Sequence, residues 1–192
     1  MSTEEKVKKV IEKALKGVRE NILEIETRTD LPNEEKAKRI IKIFGATCAG
    51  VAIQPIPFAD IFILTPIQAY MGTRIAAIRG VPVRESEVGE IIKEIAAVVG
   101  LGLLAQQLVI GGYKTFIPFL GAWTTIPIVF GLTYAMGCVM DEYFIRKAKK
   151  EKLDKEIMKQ VWRDALKVGK EEGKKRTSEI KKDSKALRPE ED

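Results

Sequence analysis

The sequence predicts an all-α fold: a helical bundle with apolar central hairpins and amphipathic, charged terminal helices. Three observations carry this. Apolar residues near both ends of the 192-residue chain recur at steps of three and four, the spacing of one helical face. Residues 43–140 hold ten charged side chains while the flanks hold fifty. No stretch alternates polar and apolar residues as a half-buried strand would.

The first helix is expected over residues 4–26, with Val7, Ile11, Ala14, Val18, Ile22 and Ile25 on its apolar face. Leu31-Pro32-Asn33 breaks it. Asn33 is placed as the N-cap of a second helix, with Glu34 and Glu35 in the first turn where the helix dipole favours acids. That helix runs to about Ile53. Pro55 and Pro57 then remove two backbone donors and force an irregular segment up to Asp60. Thr65-Pro66-Ile67-Gln68 reads as a helix start, with Thr65 as N-cap, Pro66 at the first helical position and Gln68 closing a capping box. The third helix ends near Arg79, before Gly80-Val81-Pro82.

Ser86 is expected to cap a fourth helix over 87–110, ended by Gly111-Gly112. Pro118 and Gly121 mark a further break. A fifth helix is expected up to Lys150, with Pro127 as a kink. Leu153, Ile157, Val161, Ala165 and Val168 form the apolar stripe of a sixth. The expected organisation is an amphipathic N-terminal helix (1–32), an apolar helical core (33–150), an amphipathic C-terminal helix (151–172) and a charged, disordered tail (173–192). The tail has only Ile180 and Leu187 as apolar anchors.

Several kinds of chemistry have no support. There is no histidine, which removes imidazole metal sites and Ser–His or Cys–His pairs. Cys48 and Cys138 read as two separate thiols in apolar surroundings. Gly111-Gly112-Tyr113-Lys114-Thr115 fails as a phosphate loop, because Tyr113 stands where glycine must precede the lysine. No carboxylate pair or metal-ligand cluster is spaced for catalysis. The expectation is a non-enzymatic protein with no catalytic residue, no metal and no cofactor. The polar start, Met1-Ser2-Thr3-Glu4-Glu5, gives no signal peptide. The basic residues of the flanks alternate with acids and not with aromatics, which argues against a nucleic-acid surface.

Two lone charges stand out in the apolar middle. Asp60 is the only acid between Glu35 and Glu85, and Lys114 the only charge between Glu94 and Asp141. They read either as helix-end charges, Asp60 capping and Lys114 reaching a polar boundary, or as a pair that closes two hairpins together.

The uncharged stretches belong in a core or in lipid. Thr115–Met140 is 26 residues long, enough to cross a hydrocarbon layer of about 30 Å. A basic cluster follows it: Arg146, Lys147, Lys149, Lys150 and Lys152. That order reads as an anchor at anionic headgroups on the cytoplasmic face of the inner membrane. The alternative is a soluble, cytoplasmic scaffold that buries the same surface in a homo-oligomer.

Pro55-Ile56-Pro57-Phe58-Ala59-Asp60, Thr65-Pro66-Ile67-Gln68, Ile75-Ala76-Ala77-Ile78 with Gly80, and the later Lys114-Thr115-Phe116-Ile117-Pro118 carry a resemblance. Over residues 40–145 the chain resembles the helical YcjF-type domain family of uncharacterised function, often found beside small Era-like GTPase domains and in bacterial inner-membrane proteins. The resemblance implies an all-α, membrane-associated accessory module working with a GTPase. These residues include no GTPase motif, so such a partner would be a separate chain.

Overall fold

The computed structural model describes residues 3–54, 59–99 and 122–187. They form α1 (Thr3–Thr27), α2 (Asn33–Ala52), α3 (Ala59–Ile78), α4 (Glu85–Val99), α5 (Ala122–Ala148), α6 (Lys155–Lys175), α7 (Thr177–Asp183) and a closing 3-10 turn, Ser184–Leu187. There is no strand among the described residues, and the all-α reading holds.

α5 is the central element. Its face from Ile126 to Phe144 is almost continuously buried, with Phe130, Ala135, Val139, Met140 and Phe144 fully enclosed. α2 runs antiparallel to it: the Phe130 ring lies over Gly45, and Ile41 lies over Gly137. α3 runs parallel to it, with Gln68 reaching Thr133 and Gly72 beside Met140. α1 covers α2 and α3 with Val10, Ala14, Val18 and Ile22. Its expected apolar stripe is therefore the buried face, with Val10 added at its centre.

The contact between α5 and α6 is the closest in the bundle. A Cβ at Gly173 would stand 2.9 Å from Pro127 Cα, and one at Gly169 would stand 2.9 Å from Gly131 Cα. These neighbours are backbone atoms and cannot move aside as a side-chain tip can. Glycine is required here by proximity, which lets the two backbones nearly touch. The buried face of α6 is consequently Met158, Trp162, Ala165, Gly169 and Gly173. The expected stripe shares Ala165 with this face, and Leu153 and Val161 pack at its edge. Ile157 and Val168 are 42% and 52% exposed. Periodicity counted large apolar residues, whereas the packing selects small ones.

Other expectations are also corrected. Asn33 is not a cap: Pro32, in an extended conformation, precedes the helix and its carbonyl accepts from the Glu35 and Lys36 amides. The helix expected to begin at Thr65 begins at Ala59 and runs through Pro66. A proline in mid-helix forfeits one backbone hydrogen bond. Burial of Ile63, Ile67, Met71 and Ile75 on the same helix offsets that loss. Gln68 points into the core, so it closes no capping box with Thr65. Ser86 caps nothing, because α4 begins at Glu85. There the Glu87 carboxylate accepts from the Arg84 amide at 2.7 Å. The extension of that helix beyond Val99 lies outside the described residues. The tail expected to be disordered from Gly173 is helical to Asp183, and Ile180 and Ser184 are buried.

Two helices end in the same way. At the end of α3 the Val81 amide bonds Ala76 O and the Gly80 amide bonds Ala77 O, with Gly80 at φ 73°. At the end of α5 the Glu151 amide bonds Arg146 O and the Lys150 amide bonds Lys147 O. Both are Schellman stops, but the second places Lys150 at φ 57°, where a side chain is disfavoured.

Three substitutions test these features. Gly169→Ala should lose about 1–3 kcal/mol in urea unfolding, even though alanine favours helix, because its methyl meets backbone. Gly17→Ala, on α1 with nothing within 4 Å of the added methyl, should instead gain up to about 1 kcal/mol. Lys150→Gly should stabilise by about 1 kcal/mol, seen as a raised denaturant midpoint with an unchanged slope.

Candidate functional site

The parallel and antiparallel relations define two ends of the bundle, and they differ in chemistry. The far end gathers the α1–α2 turn, the end of α3 and the C-terminal half of α5. It is laced with ion pairs. Arg79, with its side chain 7% exposed, grips both Asp141 oxygens at 2.7 and 2.8 Å and also reaches Glu34 at 3.1 Å. Arg74 holds Glu26 through two hydrogen bonds, and Lys36 donates to the Glu26 carbonyl. The Arg28 guanidinium beside Asp30 holds that carboxyl down at about 2. Every charged group of the α5 C-terminal half named in the sequence as an anchor lies here. Arg146 is paired with Glu142 at 2.6 Å and also donates to Lys152 O. Lys147 stacks on the Tyr143 ring at 5.4 Å. Lys149, Lys150 and Lys152 are exposed.

The near end gathers the C-terminus of α2, the N-termini of α3 and α5, the C-terminus of α6, and α7. Residues 122–140 of α5, which begin here, contain no charge. Trp123, in the first turn of α5, is 63% exposed. The chain reaches α5 from residues 95–121, whose only charged side chain is Lys114. α7 closes over this end. The Gln54 side-chain amide donates to Gly50 O at 3.0 Å and to Ser184 O at 2.9 Å, tying the end of α2 to the last turn. Its Oε1 is buried without a partner among the described residues. A cleft of about 230 Å3 lies between α1, α2 and α7, with Lys13, Arg176, Glu179 and Asp183 on its rim. Arg176 and Glu179 are already paired with each other at 3.0 Å.

The residues singled out by sequence are dispersed. Pro55, Pro57, Lys114 and Pro118 lie outside the described residues, and with them the pairing of Asp60 with Lys114. Asp60 falls in the first turn of α3. Thr65 is exposed and Pro66 half-buried on the same helix. Gln68 alone enters the core, where its amide stands 3.4 Å from the Thr133 hydroxyl. The Cys48 thiol shares that hydroxyl, so Cys48, Gln68 and Thr133 form a small polar knot between α2, α3 and α5. Gln68 was visible as the one amide in an otherwise apolar helical stretch; its partners were not. The closeness of α5 and α6 also had a signal, since Ala165, Gly169 and Gly173 recur at four-residue steps.

The two cysteines are free, Cys48 buried and Cys138 half-buried. Burial pushes both thiols from 9.0 up to about 12, and the hydrogen bond from Thr133 offsets this only partly at Cys48. Burial likewise lifts the Tyr134 phenol to about 12. None of these groups is a nucleophile near neutral pH. Among the described residues no group of three potential metal ligands occurs.

α5 is long and apolar enough to cross a membrane over Trp123–Ala148; its most apolar 18-residue window has a mean hydropathy of 1.4, and 72% of that window is buried inside the bundle. Its apolar surface therefore already has protein partners. Comparison with family models, with curated proteins and with solved structures gives no match to this chain.

The raised thiols fix a pH dependence. Below pH 9 both states carry neutral thiols and stability is unaffected. Between about pH 9 and 12 the unfolded thiols ionise while the folded ones do not, so stability falls, by up to about 1.4 kcal/mol per pH unit for each group. Urea unfolding followed from pH 8 to 11 should show this loss, and Cys48→Ala should make it shallower.

Proposed function

We propose that this chain is a non-enzymatic, membrane-associated helical scaffold that meets the bilayer with its near end. The observation that carries the reading is the exposed Trp123 at the point where the uncharged stretch joins the bundle. Tryptophan favours the headgroup level, where one edge is wet and the other apolar. The ion pairs of the far end suit water. α5 is a core helix in this reading, so the membrane contact falls to residues 100–121, whose only charged side chain is Lys114. The basic cluster from Arg146 to Lys152 then points away from lipid. The rise of the 27-residue α5, about 40 Å, separates it from Trp123. The resemblance noted in the sequence adds a small GTPase on a separate chain as the partner of this scaffold, at the cytoplasmic face of the inner membrane.

One observation favours a second reading, a soluble scaffold that self-associates. Ile157 and Val168 lie on one side of α6 and are exposed, with the half-buried Val161 between them. Such a stripe can pack against a second copy.

Phosphatidylcholine vesicles separate the two. The membrane reading expects flotation with vesicles and a blue shift of tryptophan emission that Trp123→Phe abolishes, since the remaining Trp162 is buried in the bundle. A soluble monomer in detergent-free buffer that leaves vesicles unshifted overturns it. A discrete oligomer that ignores vesicles supports the second reading.

A further inference from the structure

The near end, where Trp123 is exposed, also carries exposed positive charge on the end of α6 and on α7. Residues 167–185 carry eight basic and four acidic side chains, and residues 4–16 carry five and three. Their local excesses are therefore four and two positive charges. The second lies on the half of α1 whose Lys13 borders the cleft under α7.

The first segment is held in place by the packing already described. A Cβ at Gly173 would stand 2.9 Å from Pro127 Cα, which sets the end of α6, with Lys175, against the first turns of α5. α7 then turns across the end of α2, where Leu187 and Ser184 come within 3.5 and 3.6 Å of the Cβ position of Gly50. Its inward face is Thr177, Ile180 and Ser184. Lys181, Lys182 and Lys185 are left facing outward. Together with Lys175 they are exposed and take part in no ion pair among the described residues. At the far end Arg28, Arg74, Arg79 and Arg146 each hold a carboxylate, while Lys149, Lys150 and Lys152 are exposed.

Resting on the membrane reading above, we infer that this lysine face docks on an anionic bilayer, with Lys175, Lys181, Lys182 and Lys185 against lipid phosphates and Trp123 at headgroup depth. Exposed lysines at the same end of the bundle as an exposed tryptophan combine the two forces that hold peripheral proteins on anionic lipid. A nucleic acid would meet the same charge, but it has no use for the uncharged chain that enters here, and no run of aromatics is present to stack bases.

The test compares neutral phosphatidylcholine vesicles with vesicles containing phosphatidylglycerol. The wild-type protein should prefer the anionic vesicles at least tenfold and lose that preference as salt is raised. Each lysine is worth roughly a fivefold change in partitioning, so Lys181→Gln/Lys182→Gln/Lys185→Gln should weaken anionic binding on the order of 100-fold. Its binding to neutral vesicles should stay at the wild-type level. The control Lys149→Gln/Lys152→Gln/Lys155→Gln, at the far end, should bind as wild type. Circular dichroism and the unfolding midpoint confirm that both triple variants fold. Equal wild-type binding to the two vesicles, or an equal loss in the control, overturns this inference and leaves the membrane reading standing. Absence of binding to either vesicle overturns both. Preference for duplex DNA over anionic vesicles assigns the face to nucleic acid and overturns the inference.

Discussion

The bundle depends on the approach of α6 to α5. Where Gly131, Gly169 and Gly173 meet, no side chain separates the two backbones over the middle of the contact. That closeness lets a short-side-chain face of α6 cover α5, and it leaves Tyr134, Phe130 and Pro127 pressed directly on the glycines. α2 and α3 then fill the other sides of α5 with Ile41, Phe44, Ile67 and Met71. A helix apolar on nearly every side is normally a sign of lipid or of a large core. In this small protein it is accommodated because each of its faces has a dedicated neighbour.

Much of this was legible in the sequence, and the reasons for the failures are physical. The charge partition located α5 as the helix that must leave water, the steps of three and four located α1 and α6, and the break at Leu31-Pro32 located the start of α2. Gly80 was readable as a stop because a left-handed residue there suits glycine. The stop at Lys150 was not, since lysine gives no such signal. Thr65-Pro66 misled because local capping chemistry was weighed against a proline penalty without the burial that α3 gains on both sides of it. The face of α6 was misassigned because the hydrophobic pattern rewards bulk, while close packing rewards its absence. Gln54 and Gln68 acquire their roles from partners more than sixty residues away, a relation no local pattern contains.

The two ends of the bundle also show how one charge type can serve opposite purposes. At the far end Arg74 and Arg79 are fastened by carboxylates from other helices, so their charge works inside the protein as a clamp between α1, α2, α3 and α5. Arginine suits this because its planar fork meets both carboxylate oxygens. At the near end lysines dominate, and their long stems hold a well-hydrated charge away from the surface. The candidate site was half-visible for this reason: composition revealed an excess of base, whereas only the fold shows which bases are already engaged.

The clasp of Gln54 on Ser184 has a consequence for how the chain closes. The α5–α6 contact spans a six-residue turn, so joining these helices costs little loop entropy. The clasp joins residues 130 apart, as does the pair Lys42–Glu172. It is a long-range closure, beside the contact of α1 with the closing 3-10 turn, and it is made by one amide and a short helix anchored by Ile180. The C-terminal helix is therefore the latch of the molecule, whose engagement reports that both halves of the chain have met.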